Sequence, residues 1–201
     1  MPLTKPVWAA AALAALCAAG VAGTAAYRTA VHRTRNVITT GGVHIALHET
    51  YDSGGKTADW PLAAGLAGLV PGQTVSKVVY VTNTGQSPAW VGVRVHTALT
   101  LADGNAADPA GLVRTVGPGA GTDAYNTAAW LYDAAADRYC YRTPLQPGAS
   151  TPPLFTGVAL SDRMDRRCAG AAVTVTVGAM AVQSKNNGTG PTLAAGWPAA
   201  G

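Results

Sequence analysis

The sequence predicts an all-β protein, an antiparallel two-sheet sandwich preceded by an N-terminal signal helix, and three observations predict it. Short runs of Val, Thr and aromatic residues alternate apolar with polar at a period of two, the spacing at which a strand buries one face. Gly and Pro, at 24 and 13 of 201 residues, recur between these runs, where they supply turns. Charged residues make up only 12% of the chain and Glu49 is its single glutamate, which is too little Glu, Lys and Arg for solvated helical surfaces. A chain of this length suits one domain of ordinary size. The expected division is a signal peptide over 1–26, a β-sandwich domain over 27–183 and a flexible C-terminal tail over 184–201.

The first segment has the order of an export signal. A lone positive charge at Lys5 is followed by an apolar run from Val7 to about Ala22, then by the small residues Gly23, Thr24, Ala25 and Ala26. Cleavage after Ala26 would release a chain starting at Tyr27. The competing reading is an uncleaved membrane anchor, which needs roughly 20 apolar residues. Cys17 lies inside the apolar run behind Leu16 and is read as hydrophobic filler. Removal of the signal leaves two cysteines, Cys140 and Cys168, and a pair in an oxidising compartment is most simply a disulfide, with two free thiols as the alternative.

The strands follow in order. Val43-His44-Ile45-Ala46-Leu47-His48 would turn Val43, Ile45 and Leu47 to one face. The Val70-Pro71-Gly72-Gln73 turn leads into Val75 to Val81 and then Asn83-Thr84-Gly85, and a further strand runs from Ala89-Trp90-Val91 to His96. Leu101 to Thr127 has little periodicity and is expected to form long loops with a short strand at Leu112 to Val116. Ala129 to Tyr132 and Arg138 to Arg142 flank a turn at Asp133 to Asp137, and Leu154 to Leu160 and Ala172 to Val177 complete the set.

Several of these runs resemble the TasA and camelysin group of exported bacterial proteins. They are Asn36-Val37-Ile38-Thr39-Thr40-Gly41 after the signal, Val79-Tyr80-Val81-Thr82-Asn83-Thr84-Gly85 with Val91-Gly92-Val93-Arg94-Val95, and Leu131-Tyr132-Asp133 through Tyr139-Cys140-Tyr141, Pro144-Leu145-Gln146-Pro147-Gly148 and Pro153-Leu154-Phe155. The resemblance implies a jelly-roll-like sandwich, removal of the signal by a dedicated signal peptidase, and a place in a biofilm matrix or on the cell surface. The chain departs from that group at Tyr27-Arg28-Thr29-Ala30, which is basic where acidic and aromatic residues are usual.

Because camelysin has been classed as a metallopeptidase, a zinc motif is the first site to seek. Two histidines one helical turn apart with a glutamate beside the first would be needed, and His48-Glu49-Thr50-Tyr51-Asp52 carries only the first half. His44 and His48 are too widely spaced along a strand for one ion and are read as exposed polar positions, and His32 and His96 have no local partner. Asp103-Gly104-Asn105 with Asp108 has oxygen ligands but lacks a closing bidentate acid, so it is read as a turn. Asn187-Gly188-Thr189 is a glycosylation triplet in a Gly-rich setting. No catalytic residue, metal ligand or cofactor is expected.

The charge of +4 is mild and scattered apart from Arg28, Arg33 and Arg35 and from Arg163, Arg166 and Arg167, without interleaved aromatics, so no nucleic-acid partner is expected. Trp90, Trp130, Tyr132, Tyr139 and Tyr141 are expected in strands as core or cross-strand pairs, while Trp60 and Trp197 are the candidates for partner contact.

The expected function is that of a secreted or cell-surface structural protein. It would self-associate or join another extracellular matrix or surface protein through strand edges, with the segment from Tyr27 to Glu49, including Val43, Ile45 and Leu47, as the assembly strand. A camelysin-like surface metallopeptidase and a carbohydrate- or protein-binding module are the alternatives.

Overall fold

The computed structural model describes residues 27–30, 35–36, 43–53, 56–60, 66–119 and 124–198. The signal segment 1–26, with Ala26, lies outside the described residues. Among those described there is no α-helix, and no helix is long and apolar enough to cross a membrane. The described residues form thirteen strands: β1 (Tyr27–Ala30), β2 (Arg35–Asn36), β3 (Ile45–Ser53), β4 (Lys56–Asp59), β5 (Leu66–Leu69), β6 (Thr74–Asn83), β7 (Ala89–Thr100), β8 (Ala106–Ala107), β9 (Val113–Val116), β10 (Trp130–Asp133), β11 (Arg138–Tyr141), β12 (Phe155–Leu160) and β13 (Ala172–Gln183). The only other regular element described is a single 3-10 turn at Arg166–Cys168, capped by the Asp165 side chain.

The strands make two sheets that pack face to face. The larger runs β10-β11-β7-β13-β1-β5, with β2 also on β13 and β8 on β7, and the smaller runs β4-β3-β6-β12-β9. Most pairings are antiparallel, and the exceptions are β1 and β2, which both run parallel to β13. The predicted two-sheet sandwich is therefore the fold. The central pair is β7 with β13, matched from Ala172 opposite Thr100 to Gln183 opposite Ala89.

Period-two burial is clearest in β6, where Val75, Lys77, Val79, Val81 and Asn83 point inward and the residues between them are partly exposed or exposed. Val43, Ile45 and Leu47 face the same core, together with Val91, Val93, Val173, Val175, Val177, Leu154 and Phe155 from neighbouring strands. Burying a side chain of this size contributes about 1.5–3 kcal/mol. Trp130 and Trp60 are also in this core, so Trp60 is an interior residue and the expectation that it meets a partner is corrected. Its backbone N–H bonds the Glu49 carbonyl, which draws a loop tryptophan beneath the sheet.

The Pro71-Gly72 turn closes as expected, with Gln73 N–H on the Val70 carbonyl and Gly72 at φ +79°, a conformation that costs a side-chain-bearing residue about 1 kcal/mol or more. The expected short strand within the Leu101 to Thr127 region is β9, and the expected turn at Asp133 to Asp137 joins β10 to β11. Strands β4 and β5 fall in a stretch that the sequence left without an element.

The flexible tail is also corrected. Residues 184–198 fold back over the outer face of the larger sheet as a strap, where Trp90, Val182 and Ala194 form a second small core with Trp197 packed against it. Asn187 holds the strap closed: its side chain accepts from Ala195 N–H and donates to the Ala195 and Gln183 carbonyls, and its own carbonyl accepts from the Trp90 indole. The turn residues that suggested an exposed tail thus make a tight loop with internal hydrogen bonds, which satisfies its backbone while it lies on the sheet.

Candidate functional site

The N-terminal strand occupies the most distinctive position in the fold. Arg28, Thr29 and Ala30 pair with Ala172, Val173 and Thr174, and Arg35 and Asn36 pair with Gly178 and Ala179. β1 and β2 therefore lie along β13 at Ala172–Thr174 and Gly178–Ala179, on the side opposite β7. On its far side β1 meets, among the described residues, β5 alone, through Tyr27 opposite Leu69 and Thr29 opposite Leu66, with an irregular register between them. Without β1 and β2, β13 would be a long sheet edge whose Val173, Val175, Val177 and Ala179 are buried in the core. Such an edge is a template for strand addition.

Val43, Ile45 and Leu47 turn inward beside a strand that β6 pairs on one side, while β4 covers the other side only from Thr50 to Ser53. β3 pairs with β6 from Ile45 opposite Asn83 to Thr50 opposite Val78, and with β4 from Thr50 opposite Asp59 to Ser53 opposite Lys56. These three side chains fill the chain's own core, because the alternation that marked them also turns them inward. Within Tyr27 to Glu49, the described part that lies along β13 is β1 with β2. The outer strands are β10 and β5 in the larger sheet and β4 and β9 in the smaller.

At β10 an aromatic ridge leads from the core to the surface. Phe155 meets Tyr125 edge-on at 6.1 Å, Tyr125 stacks on Tyr139 at 4.1 Å, and Tyr139 meets its cross-strand partner Tyr132 at 4.9 Å. Tyr132 is 48% exposed and donates to Asp137 at 2.8 Å, and that hydrogen bond, more than burial, raises its phenol above the ordinary value. Burial raises the Tyr139 phenol well above its usual value near 10.0.

Cys140 and Cys168 are separate free thiols, so the expected disulfide is corrected. Tyr139 and Tyr141 pack against the main core, so strand alternation turns Cys140 to the outer face of the larger sheet, whereas Cys168 lies in the main core. The sheet itself stands between them. Burial raises the Cys140 thiol, opposed by the neighbouring Arg138 guanidinium. Arg138 bonds Asp133 at 3.0 Å and lies 4.1 Å from the ring centre of Trp197, so the strap is held partly by a cation over an aromatic face. Trp197 thus contacts a residue of its own chain. Gly92 makes room for this arrangement, since a Cβ there would come within 3.2 Å of both Met180 and Trp197.

The residues considered as metal ligands are dispersed. His44 and His96 are exposed, His48 stacks on Tyr80 at 4.6 Å, and among the described residues no three His, Cys, Asp or Glu side chains converge on a common point. Asp103 accepts from the backbone and side chain of Asn105, and Asp108 from Ala110 N–H, as turn-forming residues do. A shallow cleft lined by Gly72, Thr74, Leu112, Arg114, Ser161 and Asp162 lies at one end of the smaller sheet.

Inside the sandwich lies a polar pair that period-two reading passed over. Glu49 on β3 and Lys77 on β6 are in direct contact, with side chains 6% and 1% exposed, and Lys77 also lies 4.7 Å from the ring centre of Trp60. Burial lowers the Lys77 ammonium, while the Glu49 carboxylate opposes that shift. The sequence signal was available: the only glutamate of the chain and a lysine each occupy an inward position of an otherwise apolar alternation.

The fold and these surfaces define a class, an antiparallel β-sandwich with an N-terminal strand laid parallel on one of its two longest strands. Comparison of the chain with family models, with curated proteins and with solved structures finds no match.

Proposed function

We propose that this chain is a secreted or cell-surface structural protein, a matrix or fibre subunit or adhesin that assembles through strand edges. The observation that carries the reading is the parallel seat of residues 27–30 and 35–36 on β13. Removal of the preceding segment would leave these residues joined to the sandwich through their C-terminal end alone, and a parallel neighbour can be supplied as readily by a second copy as by the same chain. Exchange of this strand would conserve every backbone hydrogen bond while linking subunits, and repetition of that heterologous contact makes an open filament. The same residues follow the export-type segment, so signal peptidase cleavage after Ala26 would free them at the moment of secretion. The resemblance to the TasA and camelysin group supports the same reading.

The test is electron microscopy of the processed chain beside one lacking Tyr27 to Asn36. Fibres or higher oligomers in the first that vanish in the second, and return when the 27–36 peptide is fused to a partner copy, are the expected result. Assembly that persists unchanged without the segment refutes the strand-exchange mechanism.

A further inference from the structure

A buried ion pair is an expensive way to fill a sandwich core. Each ion loses several kcal/mol of hydration, and an apolar pair of similar volume is often as stable or more so. Glu49 and Lys77 nevertheless sit on the inward faces of adjacent strands. Glu49 is directly opposite Val79, which makes Lys77 its diagonal neighbour on the same face. Trp60 covers the amine, its backbone ties it to the strand that carries Glu49, and Tyr51 meets its ring edge-on at 6.0 Å. Val75 and Val79 flank Lys77 on its own strand face, and both are buried. An amine and a carboxyl are thereby held in contact, away from water, on two hydrogen-bonded strands.

We infer that Glu49 and Lys77 are the two ends of an intramolecular amide cross-link that forms after folding. Transfer of one proton from the ammonium to the carboxylate gives a neutral amine and a neutral carboxylic acid, the form that an apolar site favours over two charges. The downward shift of the Lys77 ammonium by burial is in the direction this step needs. The amine lone pair then attacks Cδ of Glu49. The new Nζ–Cδ bond forms, the Cδ–OH bond breaks, and the hydroxyl leaves with a proton from nitrogen as one molecule of water. Nothing is oxidised or reduced, and no further reactant is required.

Two physical terms drive the step. Holding the groups in contact supplies an effective molarity of about 10⁵–10⁸ M in favourable cases, and exclusion of water protects the product from hydrolysis. The product replaces two buried charges with one neutral amide and ties β3 to β6 covalently. This inference is independent of the proposed strand exchange, because it concerns one folded copy.

Mass spectrometry of a tryptic digest of the purified chain, denatured and without cross-linker, decides it. The expected result is a branched species in which 36–56, carrying Glu49, is joined to 57–94, uncut at Lys77, and lighter than their sum by one water. Loss of water at Asp103-Gly104 or of ammonia at Asn187-Gly188 falls on other peptides and cannot mimic it. Lys77→Met and Glu49→Ala chains should each lose the branched species. Complete cleavage after Lys77 in the unaltered chain, with 36–56 and 57–77 both at their linear masses, overturns the inference. That outcome needs no variant to fold.

Discussion

Replacing Asn83 by alanine removes a side chain that ties three segments together at the end of β6. Asn83 is wholly buried, and its amide donates to the Ser87 carbonyl at 2.9 Å and the Leu145 carbonyl at 2.8 Å, while its oxygen accepts from Gly85 N–H at 2.9 Å. Three net hydrogen bonds at about 1 kcal/mol each give a cost of about 3 kcal/mol. Stranded partners add little to this. The Leu145 carbonyl still accepts from Ala89 N–H and Gly85 N–H still donates to the His44 carbonyl, which leaves the Ser87 carbonyl as the group most exposed to loss.

For a domain of this size the change corresponds to a drop in Tm of about 6–12 °C. Urea unfolding followed by circular dichroism and tryptophan fluorescence measures it, with the midpoint shifted and the slope unchanged. An Asn83→Asp chain should be at least as damaged at neutral pH, because it keeps the acceptor but loses both donors and buries a charge. Burial would raise that carboxyl, so its lost stability should return as the pH falls and it becomes protonated. A loss below about 1 kcal/mol for Asn83→Ala, within the range of one ordinary hydrogen bond, would refute the reasoning.

Further predictions concern the strap and the titrating groups. Gly92→Val places side-chain atoms against Met180 and Trp197, so the strap should lift, making 184–198 sensitive to limited proteolysis while the far-ultraviolet spectrum of the sandwich is retained; an equally protected strap would count against the packing described. Trp197→Ala removes the ring over Arg138 and should cost about 1–2 kcal/mol in chemical unfolding, with the strap again the first part to be cut. Cys140 and Tyr139 have acidities weakened by folding, from ordinary values near 9.0 and 10.0, so the unfolded chain loses these protons first as the pH rises. Their contribution to stability should therefore hold below about pH 8.5 and fall above it, against the opposite contribution of the buried Lys77 ammonium, and Cys140→Ala should remove the earliest part of that fall; a Cys140→Ala profile parallel to that of the unaltered chain through this range would contradict the burial of the thiol.

The alternation of apolar and polar residues determined the sandwich, since burial at a period of two leaves one face of each strand dry whatever the partner strand turns out to be. Val75, Val79 and Val81 could be assigned to a core without knowing what lay opposite them. The Pro71-Gly72 turn was legible for a similar local reason, as its backbone angles belong to those residues themselves. What pairs with what was not legible. The parallel seat of residues 27–30 and 35–36 on β13 joins parts of the chain more than a hundred residues apart, and no local pattern names such a partner.

The same limit explains the corrections. Cys140 and Cys168 could be counted, but which face of the sheet each occupies depends on strand register and on the position of the 3-10 turn. The Gly- and Pro-rich end suggested solvent, yet Asn187 and Trp197 find partners on an outer sheet face that exists only once β7, β11 and β13 are assembled. Glu49 and Lys77 stand at inward positions in the sequence, but their contact, and with it the chemistry of the core, is created by the register of β3 against β6. Composition and periodicity act through each residue's own exchange of water for protein. Contacts between distant residues are settled by the cooperative packing of the whole, which no short window of sequence contains.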